Sequence, residues 1–347
     1  MNKCLHFLFF FTLILQSGFS MGFESGPVVT INDYKVSRDV EWASPDGFSL
    51  TMDIYTPEGE KDKYPVLIIF HGGGWLANDK SIMDDMSQYV VRNGEYVVCN
   101  VNCRLLKDQQ NTVTMDQIVE DAFGALLWVR EHISQYGGDP DRIAVSGDSA
   151  GGHLAAMVVN AGTHLSRSGL KEGEKGFNPT YIPEGKDLEQ IRNMGWMEVQ
   201  AAVLNYAALD IYTLAQKGYE EQNNMFWQGA GVEPRGIFGD DYNVEDHPDL
   251  YRAVSPVHTV PNASERKLPP QLLTIGTEDD LISPSQIKEY KNLLEKSGQP
   301  VEYWEHKGRP HAFLDSGKNE RLGISFERDA PEALDRIIAF LDEVFYN

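Results

Sequence analysis

Short, mostly apolar runs recur along the chain, each bounded by turn-forming residues. Runs of this kind are typical of strands that are buried on both faces of a parallel sheet. They are VLIIF at 66–70, YVVCNV at 96–101, RIAVSG at 142–147, VQAAVLNY at 199–206, QLLTIG at 271–276 and VEYWEH at 301–306. The pattern predicts six strands of one sheet.

Segments with helical spacing lie between these runs. From Met115 to Tyr136, apolar residues recur at intervals of three and four, which predicts a helix with a buried face. Further helices are predicted over 285–296 and 330–345. Strands that alternate with helices form βαβ units, so the predicted class is α/β, with helices on both faces of a mostly parallel central sheet.

The N-terminal region and two long segments depart from this alternation. Two alternating runs, 35–42 and 48–57, are joined by the turn-rich sequence SPDG, which predicts an antiparallel hairpin at the N-terminal edge of the sheet. Segments 163–198 and 211–260 are long and irregular. Long insertions of this kind are commonly lids or binding loops, so we expect both to form a lid or pocket cover.

The first 20 residues have a basic start, an apolar run and small polar residues at the end. This order is typical of a signal peptide, and it predicts a secreted or periplasmic protein with one catalytic domain over 21–347. An uncleaved membrane anchor is the alternative interpretation. After cleavage we expect no stable membrane insertion, because no other segment approaches the ~20 apolar residues that a spanning helix needs.

The net charge of the chain narrows the classes of possible partner. The chain has 52 acidic and 30 basic residues, which gives a formal charge of −22. A protein of this charge repels phosphate backbones and anionic lipid surfaces, so nucleic acid is not expected as a partner.

Cys99 and Cys103 lie four residues apart in a predicted strand. An extended chain separates such positions by about 13 Å, too far for a disulfide, so we expect both thiols to be free.

Ser149 lies at the centre of the sequence GDSAG, directly after a predicted strand and before a predicted helix start. This is the context of a nucleophile elbow, a sharp turn that exposes a catalytic serine and needs glycine at 147 and 151 to avoid backbone collisions. An ordinary tight turn is the alternative.

A glycine-rich sequence and two later loops supply the partners that such a serine needs. HGGGW at 71–75 follows the first apolar strand, and consecutive glycines expose N–H groups that can bind an oxyanion. GTEDDLI at 276–282 and RPHAFLD at 309–315 follow later strands and supply an acid and then a histidine. The order serine, acid, histidine is the one expected with this type of elbow.

With these four motifs, the chain from about residue 36 to its end resembles the α/β-hydrolase superfamily, in particular hormone-sensitive-lipase-like carboxylesterases and bacterial acetyl esterases. The resemblance implies Ser149 as nucleophile, Asp279 as acid and His311 as base. Asp280 is the second choice for the acid. His306 competes for the base, but it ends a predicted strand, whereas His311 lies in the loop beyond it.

The resemblance also implies the remaining parts of the site. The N–H groups of Gly73, Gly74 and Ala150 are the expected oxyanion hole, with Gly72 as a further candidate. Trp75, Tyr206 and Phe313 are candidate substrate-binding residues, with core packing as the alternative for each. No metal or organic cofactor is implied.

The predicted function is that of a secreted serine carboxylesterase. The expected substrate is a short-chain acyl ester, with acetyl as the first choice, either a small ester or an acylated carbohydrate. A feruloyl or aryl esterase is the nearest alternative, and an arylformamidase or a non-catalytic binding module of the same fold is more distant. The sequence does not indicate the oligomeric state.

Overall fold

The computed structural model describes residues 28–31, 33–173 and 176–347 of the 347-residue chain. The predicted signal peptide at 1–20 lies outside the described residues. Within them, no helix combines the length and the apolar character that crossing a lipid bilayer requires. The described chain is organised around one large β-sheet.

Nine strands of the described chain form this sheet. They are β1 (Val28–Ile31), β2 (Tyr34–Ala43), β3 (Leu50–Pro57), β4 (Tyr64–Phe70), β5 (Val97–Val101), β6 (Gly138–Asp148), β7 (Ala201–Asn205), β8 (Gln271–Gly276) and β9 (Val301–His306). Their order is β1–β2–β3–β5–β4–β6–β7–β8–β9. Neighbouring strands from β1 to β5 in this order pair antiparallel, that is β1 with β2, β2 with β3 and β3 with β5. The remaining neighbours pair parallel, which confirms the mixed sheet of an α/β fold.

The predicted N-terminal hairpin is present, but it is not the edge of the sheet. Strands β2 and β3 pair from Tyr34 opposite Pro57 to Ala43 opposite Leu50. Strand β1 pairs antiparallel with the outer side of β2 and is the outermost strand. Sequence analysis assigned no element to this segment, because four residues are too few to show a periodic pattern.

Helices fill most of the connections, and a small two-stranded sheet lies near the C-terminus. The helices are α1 (Asp84–Asn93), α2 (Asp108–Asn111), α3 (Met115–His132), α4 (Ala150–Ala161), α5 (Leu188–Asn193), α6 (Ile211–Gln216), α7 (Met225–Ala230), α8 (Pro248–Ala253), α9 (Pro284–Lys296), α10 (Phe326–Asp329) and α11 (Pro331–Phe345). The small sheet consists of β10 (Lys318–Asn319) and β11 (Ile324–Ser325). The three helices predicted by spacing correspond to α3, α9 and α11.

Helix α3 is shorter than predicted. The α-helix ends at His132, and the rest of the predicted segment is a 3-10 turn over Ile133–Tyr136. Gly137, in the left-handed region at φ 78°, terminates it. A 3-10 turn keeps the apolar residues on nearly the same side as the helix does, so periodicity alone does not locate this boundary.

The core lies between the sheet and the helices on its faces. Strand β4 is buried at all seven positions, which requires cover on both sides of the sheet. Helix α4 packs against β6, β7 and α3, and α1 packs against α11. Because β4, β6, β8 and β9 run parallel, the loops that follow them meet at one edge of the sheet. All four predicted motifs are in those loops.

The first long insertion packs on α3. The ring of Phe177 lies 5.4 Å from that of Phe123, and the N–H of Thr180 donates to the carbonyl of Glu120 at 3.0 Å. The guanidinium of Arg130 donates to the Trp196 carbonyl at 2.9 Å. The described residues of 163–198 therefore pack over helix α3.

The two cysteines are free and buried, as predicted. Burial raises the pKa of the Cys99 thiol well above its ordinary value, so the thiol stays protonated and unreactive at neutral pH. Both side chains therefore behave as small apolar groups of the core.

Candidate active site

Ser149 occupies a strained turn between β6 and α4. Its φ of 51° and ψ of −115° are unusual for a residue with a side chain. The turn is held because the N–H of Ser149 donates to the Asn205 carbonyl at 2.9 Å, and the Ser149 carbonyl accepts the N–H groups of His153 and Ala208 at 3.1 Å each. The hydroxyl is thereby presented at the sheet edge, as a nucleophile elbow requires.

The two glycines of the elbow are required by close backbone contacts. A Cβ added at Gly147 would lie 2.2 Å from the carbonyl oxygen of Gly151. A Cβ at Gly151 would lie 1.9 Å from the carbonyl oxygen of Phe70. Both contacts are to backbone atoms, which cannot move aside as a flexible side chain can.

We expect Gly151→Ala to lower the free energy of unfolding by about 1–3 kcal/mol or more, because the new methyl group forces the elbow away from β4. Urea denaturation followed by circular dichroism measures this. Gly229→Ala is the matched control: its Cβ meets nothing within 4 Å in a helix interior, so stability should stay constant or rise by up to about 1 kcal/mol. Equal stability of Gly151→Ala and the wild type would contradict the packing argument.

Three side chains from separate loops form a continuous hydrogen-bond chain. Oγ of Ser149 lies 3.0 Å from Nε2 of His311, and Nδ1 of His311 lies 2.7 Å from Oδ2 of Asp279. The other carboxylate oxygen of Asp279 accepts the N–H groups of Leu281 and Ile282 at 3.0 and 2.8 Å. Because a carboxylate only accepts, the proton of a neutral His311 lies on Nδ1, and Nε2 is free to accept the serine proton.

The two competing residues do not reach this chain. His306 is buried, and its Nε2–H donates to the Asp329 carbonyl at 2.7 Å. Asp280 is exposed at the cavity rim, one residue beyond the carboxylate that bonds to His311. The structure thus brings together the first-choice residues Ser149, Asp279 and His311.

The glycine loop provides the predicted N–H donors. Gly73 and Gly74 have φ values of 123° and 60°, which the turn that follows requires. The carbonyl of Gly73 accepts the N–H groups of Leu76 and Ala77 at 3.2 and 3.0 Å. Within the described chain, neither the N–H of Gly73 nor that of Gly74 donates a hydrogen bond, and the N–H of Ala150 is at a helix start, where no intrahelical acceptor exists.

Gly72 does not belong to this set. Its N–H donates to Oδ1 of Asp148 at 2.7 Å and is therefore not available to an oxyanion. The same contact explains the acidic residue before Ser149, which ties the elbow to the glycine loop. His71 donates from Nδ1 to the Gly72 carbonyl at 2.8 Å, and burial lowers the pKa of His71, so this imidazole is a neutral structural group.

An open cavity of about 460 Å³ contains Ser149 and His311. Its apolar lining comes mainly from Met225, Phe226, Leu281 and Leu322, and its polar lining includes Asn78, Asp280 and Asp315. Met225 and Phe226 belong to the second insertion, 211–260, which covers part of the site as expected. No described residue of 163–198 lines this cavity, so a covering role for this insertion stays a prediction.

The three aromatic residues predicted to bind substrate do not line the cavity. Trp75 is buried, and its indole N–H donates to Nδ1 of His153 at 3.2 Å. Burial lowers the pKa of His153 to about 4, so its ring is neutral and can accept. Tyr206 and Phe313 are buried beneath the His311 loop, with the Tyr206 ring 4.8 Å from the imidazole and 4.7 Å from Phe313. They pack against the loop of the base, an arrangement that agrees with core packing, the alternative interpretation.

Sequence reasoning did not identify Met225 and Leu322 as lining residues. Both are unusually exposed for their type, at 59% and 44%. The available signal was an apolar residue directly after polar or charged residues in an irregular segment, as in NNMF and NERLG. Apolar side chains left in water beside a catalytic serine are commonly substrate contacts.

Described residues contain no group of three or more His, Cys, Asp or Glu side chains that could hold a metal ion. Fold and site together define an α/β-hydrolase with a serine–histidine–aspartate arrangement at the carboxyl edge of the sheet. The chain belongs to the BD-FAE family, whose model matches residues 52–294.

Curated relatives are named as esterases. Over 277 residues the chain is 24% identical to versiconal hemiacetal acetate esterase of Dothistroma septosporum, covering 80% of this chain and 75% of that protein. Over 252 residues it is 28% identical to esterase LipQ of Mycobacterium tuberculosis, covering 72% of this chain and 50% of LipQ. Carboxylesterase NlhH of the same species is 35% identical over 106 residues, and that match spans 30% of this chain and 32% of NlhH.

Solved structures share the fold. Esterase 2 of the Planctomycetes species Thermogutta terrifontis is 23% identical, with a TM-score of 0.60 over 88% of this chain and 91% of that one. Its form phosphoramylated by tabun aligns with a TM-score of 0.61 at 22% identity, over 92% and 97% of the two chains. These likenesses confirm the α/β-hydrolase fold predicted from the sequence.

Proposed function

We propose that this protein is a serine carboxylesterase that hydrolyses short-chain acyl esters through an acyl-enzyme. The observation that carries the proposal is the chain of contacts from Ser149 through His311 to Asp279, at 3.0 and 2.7 Å, in an open cavity. A serine hydroxyl becomes an effective nucleophile when a base accepts its proton and an acid orients that base.

Hydrolysis proceeds in two steps. Nε2 of His311 accepts the proton of Ser149 as Oγ attacks the ester carbonyl, and the ionised Asp279 stabilises the resulting imidazolium. The imidazolium then protonates the leaving alcohol. In the second step the same imidazole takes a proton from water, which attacks the acyl-serine and releases the acid.

The glycine loop stabilises the charge that forms in both steps. The carbonyl oxygen becomes an oxyanion in each tetrahedral intermediate, and the N–H groups of Gly73, Gly74 and Ala150 are the donors for it. Removing one donor of this kind from a serine hydrolase lowers kcat by about 10²- to 10³-fold. Tyr219 holds the loop from behind, because its hydroxyl donates to the Gly74 carbonyl at 2.5 Å.

Acetyl is the proposed acyl group and an acylated carbohydrate the proposed natural substrate. A relative that matches 80% of this chain is named for an acetate ester. The ring of Phe226 lies against the glycine loop, where a Cβ on Gly74 would be 2.5 Å from its Cδ1, and a bulky group at this place limits the room for the acyl chain. The polar rim formed by Asn78, Asp280 and Asp315 can accept and donate hydrogen bonds to a hydroxylated alcohol.

Export from the cytoplasm is part of the proposal, because residues 1–20 have signal-peptide architecture. The N-terminal sequence of protein collected from the culture medium or the periplasm tests it. Full-length protein confined to the cytoplasm would contradict it.

The acyl preference is tested with 4-nitrophenyl esters of acetate, butyrate, octanoate and laurate. We expect kcat/KM to be highest for acetate or butyrate and to fall by at least about tenfold at octanoate, because the longer chain does not fit beside Phe226. Acetylated xylooligosaccharides and methyl ferulate then distinguish a carbohydrate deacetylase from an aryl esterase. A preference for laurate or for methyl ferulate would overturn the acetyl proposal, and no hydrolysis of any ester would overturn the esterase proposal.

A further inference from the structure

The cavity around the candidate nucleophile has an unbalanced charge. Three of its lining residues are aspartates, Asp148, Asp280 and Asp315, and the described lining contains no lysine or arginine. None of these three carboxylates takes part in the proposed proton transfers, since Asp279 orients the base. A substrate that enters the cavity therefore meets a set of carboxylates in addition to the catalytic groups.

Asp315 is the least explained of the three. It lies four residues after His311, and its N–H donates to the Ala312 carbonyl at 3.1 Å, which closes the loop. Among the described residues, its carboxylate has no hydrogen-bond donor, although the side chain is partly buried. Asp148, by contrast, uses Oδ1 to hold the glycine loop. A carboxylate without a donor inside a substrate cavity is positioned to interact with the substrate.

Asp148 is the charged group that acts electrostatically on Asp315, and two further aspartates lie on neighbouring segments. Asp148 is at the end of β6, Asp85 on α1 accepts the N–H of Gly317, and Asp279 lies across His311. Tyr206, at the end of β7, lies within electrostatic range of Asp315 and keeps its proton because burial raises its pKa. His311 is therefore the one basic group beside Asp315 in the described site, and it is neutral when it acts as a base.

Burial and proximity give Asp148 and Asp315 an unusual titration. Burial raises the pKa of Asp148 to about 6, and burial together with the neighbouring Asp148 raises that of Asp315 well above its ordinary value. Both carboxyls therefore stay neutral to higher pH than an ordinary aspartate and become charged as pH rises. Negative charge in the cavity accordingly increases with pH.

Resting on the proposed esterase function, we propose that this active site selects against esters with a negatively charged alcohol or acyl group, and that Asp315 is the specificity-determining residue. The excluded class includes uronate and dicarboxylate monoesters, and neutral or cationic esters are accepted. A negative group placed beside a partly buried carboxylate loses water and meets a like charge, and both effects oppose binding. Asp280 is exposed at the rim, so its repulsion of a negative substrate group is weaker and is screened by salt.

The test uses three nitrophenyl acetates that share the acetyl group and differ mainly in the charge of the ring substituent opposite the ester. They are 4-acetoxy-3-nitrobenzoate, the corresponding neutral benzamide and its trimethylammonioethyl amide. Each kcat/KM is divided by the rate constant for hydroxide-catalysed hydrolysis of the same ester, which removes differences in leaving-group reactivity. The ratio of two such values cancels any pH dependence that the two reactions share, because the catalytic groups are common to both.

For the wild type we expect the neutral-to-anionic ratio to be about tenfold or more at high pH and to decrease towards acid pH. The sign follows from the direction of the pKa shifts, since acid neutralises Asp315 and Asp148 and removes the repulsion. The cationic ester should show the opposite trend relative to the neutral one. The comparison of the cationic with the neutral ester uses the wild-type protein alone.

Asp315→Asn should clearly reduce the rise of the ratio with pH, because the amide has the shape of the neutral acid but cannot ionise, and Asp148 alone then supplies the rise that remains. Asp62→Asn is the matched control, with the same change of net charge at an exposed position between β3 and β4, and it should leave the wild-type ratio unchanged. A wild-type ratio near one at every pH, or an unchanged pH dependence in Asp315→Asn, would overturn the inference. Failure of the wild type to hydrolyse the neutral benzamide ester would overturn the esterase proposal itself.

Discussion

Replacing Ser149 with alanine is expected to lower kcat for ester hydrolysis by roughly 10⁴- to 10⁶-fold while the fold stays intact. The hydroxyl is the acyl acceptor in the proposed mechanism, and within the described site His311 accepts from it at 3.0 Å. The residual rate would come from water activated by the imidazole and from the oxyanion donors. Stopped assays with 4-nitrophenyl acetate measure the loss, and circular dichroism with thermal unfolding checks the fold.

Ser134→Ala serves as the control for this substitution, since Ser134 is an exposed serine remote from the sheet edge that carries the site. It should retain wild-type kcat. Labelling with an organophosphate gives an independent readout: the intact mass of the wild type and of Ser134→Ala should increase by one adduct, and that of Ser149→Ala should not. Turnover by Ser149→Ala equal to that of the wild type would remove the serine from the mechanism.

Asp279→Asn is expected to lower kcat by about 10⁴-fold. Oδ1 of Asp279 accepts the N–H groups of Leu281 and Ile282, so the carbonyl oxygen of an asparagine would keep these bonds and its NH₂ would face His311. Nδ1 would then have to accept a hydrogen bond from this NH₂, and the neutral imidazole would carry its proton on Nε2. That tautomer cannot accept the proton of Ser149, so the loss appears in the chemical step.

Two neighbouring carboxylates provide the comparison for Asp279. Glu278→Gln changes an exposed residue outside the cavity and should leave kcat close to that of the wild type. Asp280→Asn should lower kcat for a neutral ester by less than about tenfold, because the loop places Asp279 and not Asp280 against the imidazole. A loss in Asp280→Asn as large as that in Asp279→Asn would reassign the acid.

The catalytic residues were predictable because each is in a motif with local constraints. The elbow needs glycine on both sides of Ser149, and the structure shows the two backbone contacts responsible. The order of the motifs places Asp279 and His311 after later parallel strands, whose carboxyl ends meet at one edge. The preference for His311 over His306 also depended on a local feature, the predicted end of β9, and the structure has that boundary.

The substrate cavity was not predictable in the same way. Trp75 and Phe313 are within catalytic motifs and Tyr206 directly follows β7, but all three side chains are buried in the core. Adjacency along the chain determines where a backbone lies and not which way its side chain points. The role of Gly72 was not predictable for a related reason. Its N–H donates to Asp148, which is 76 residues away along the chain, and is therefore not available to an oxyanion.

The amino-acid sequence by itself determined the class of fold, the strands that carry the site and the three residues proposed to perform catalysis. Periodicity, turn chemistry and glycine requirements act within a few residues and can therefore be recognised along the chain. Only the tertiary structure decided which N–H groups are free and which insertion reaches the site. It also decided that Asp148 and Asp315 share one cavity with Ser149. These features depend on contacts between distant segments, which form when the whole chain packs and leave no periodic signal in the sequence.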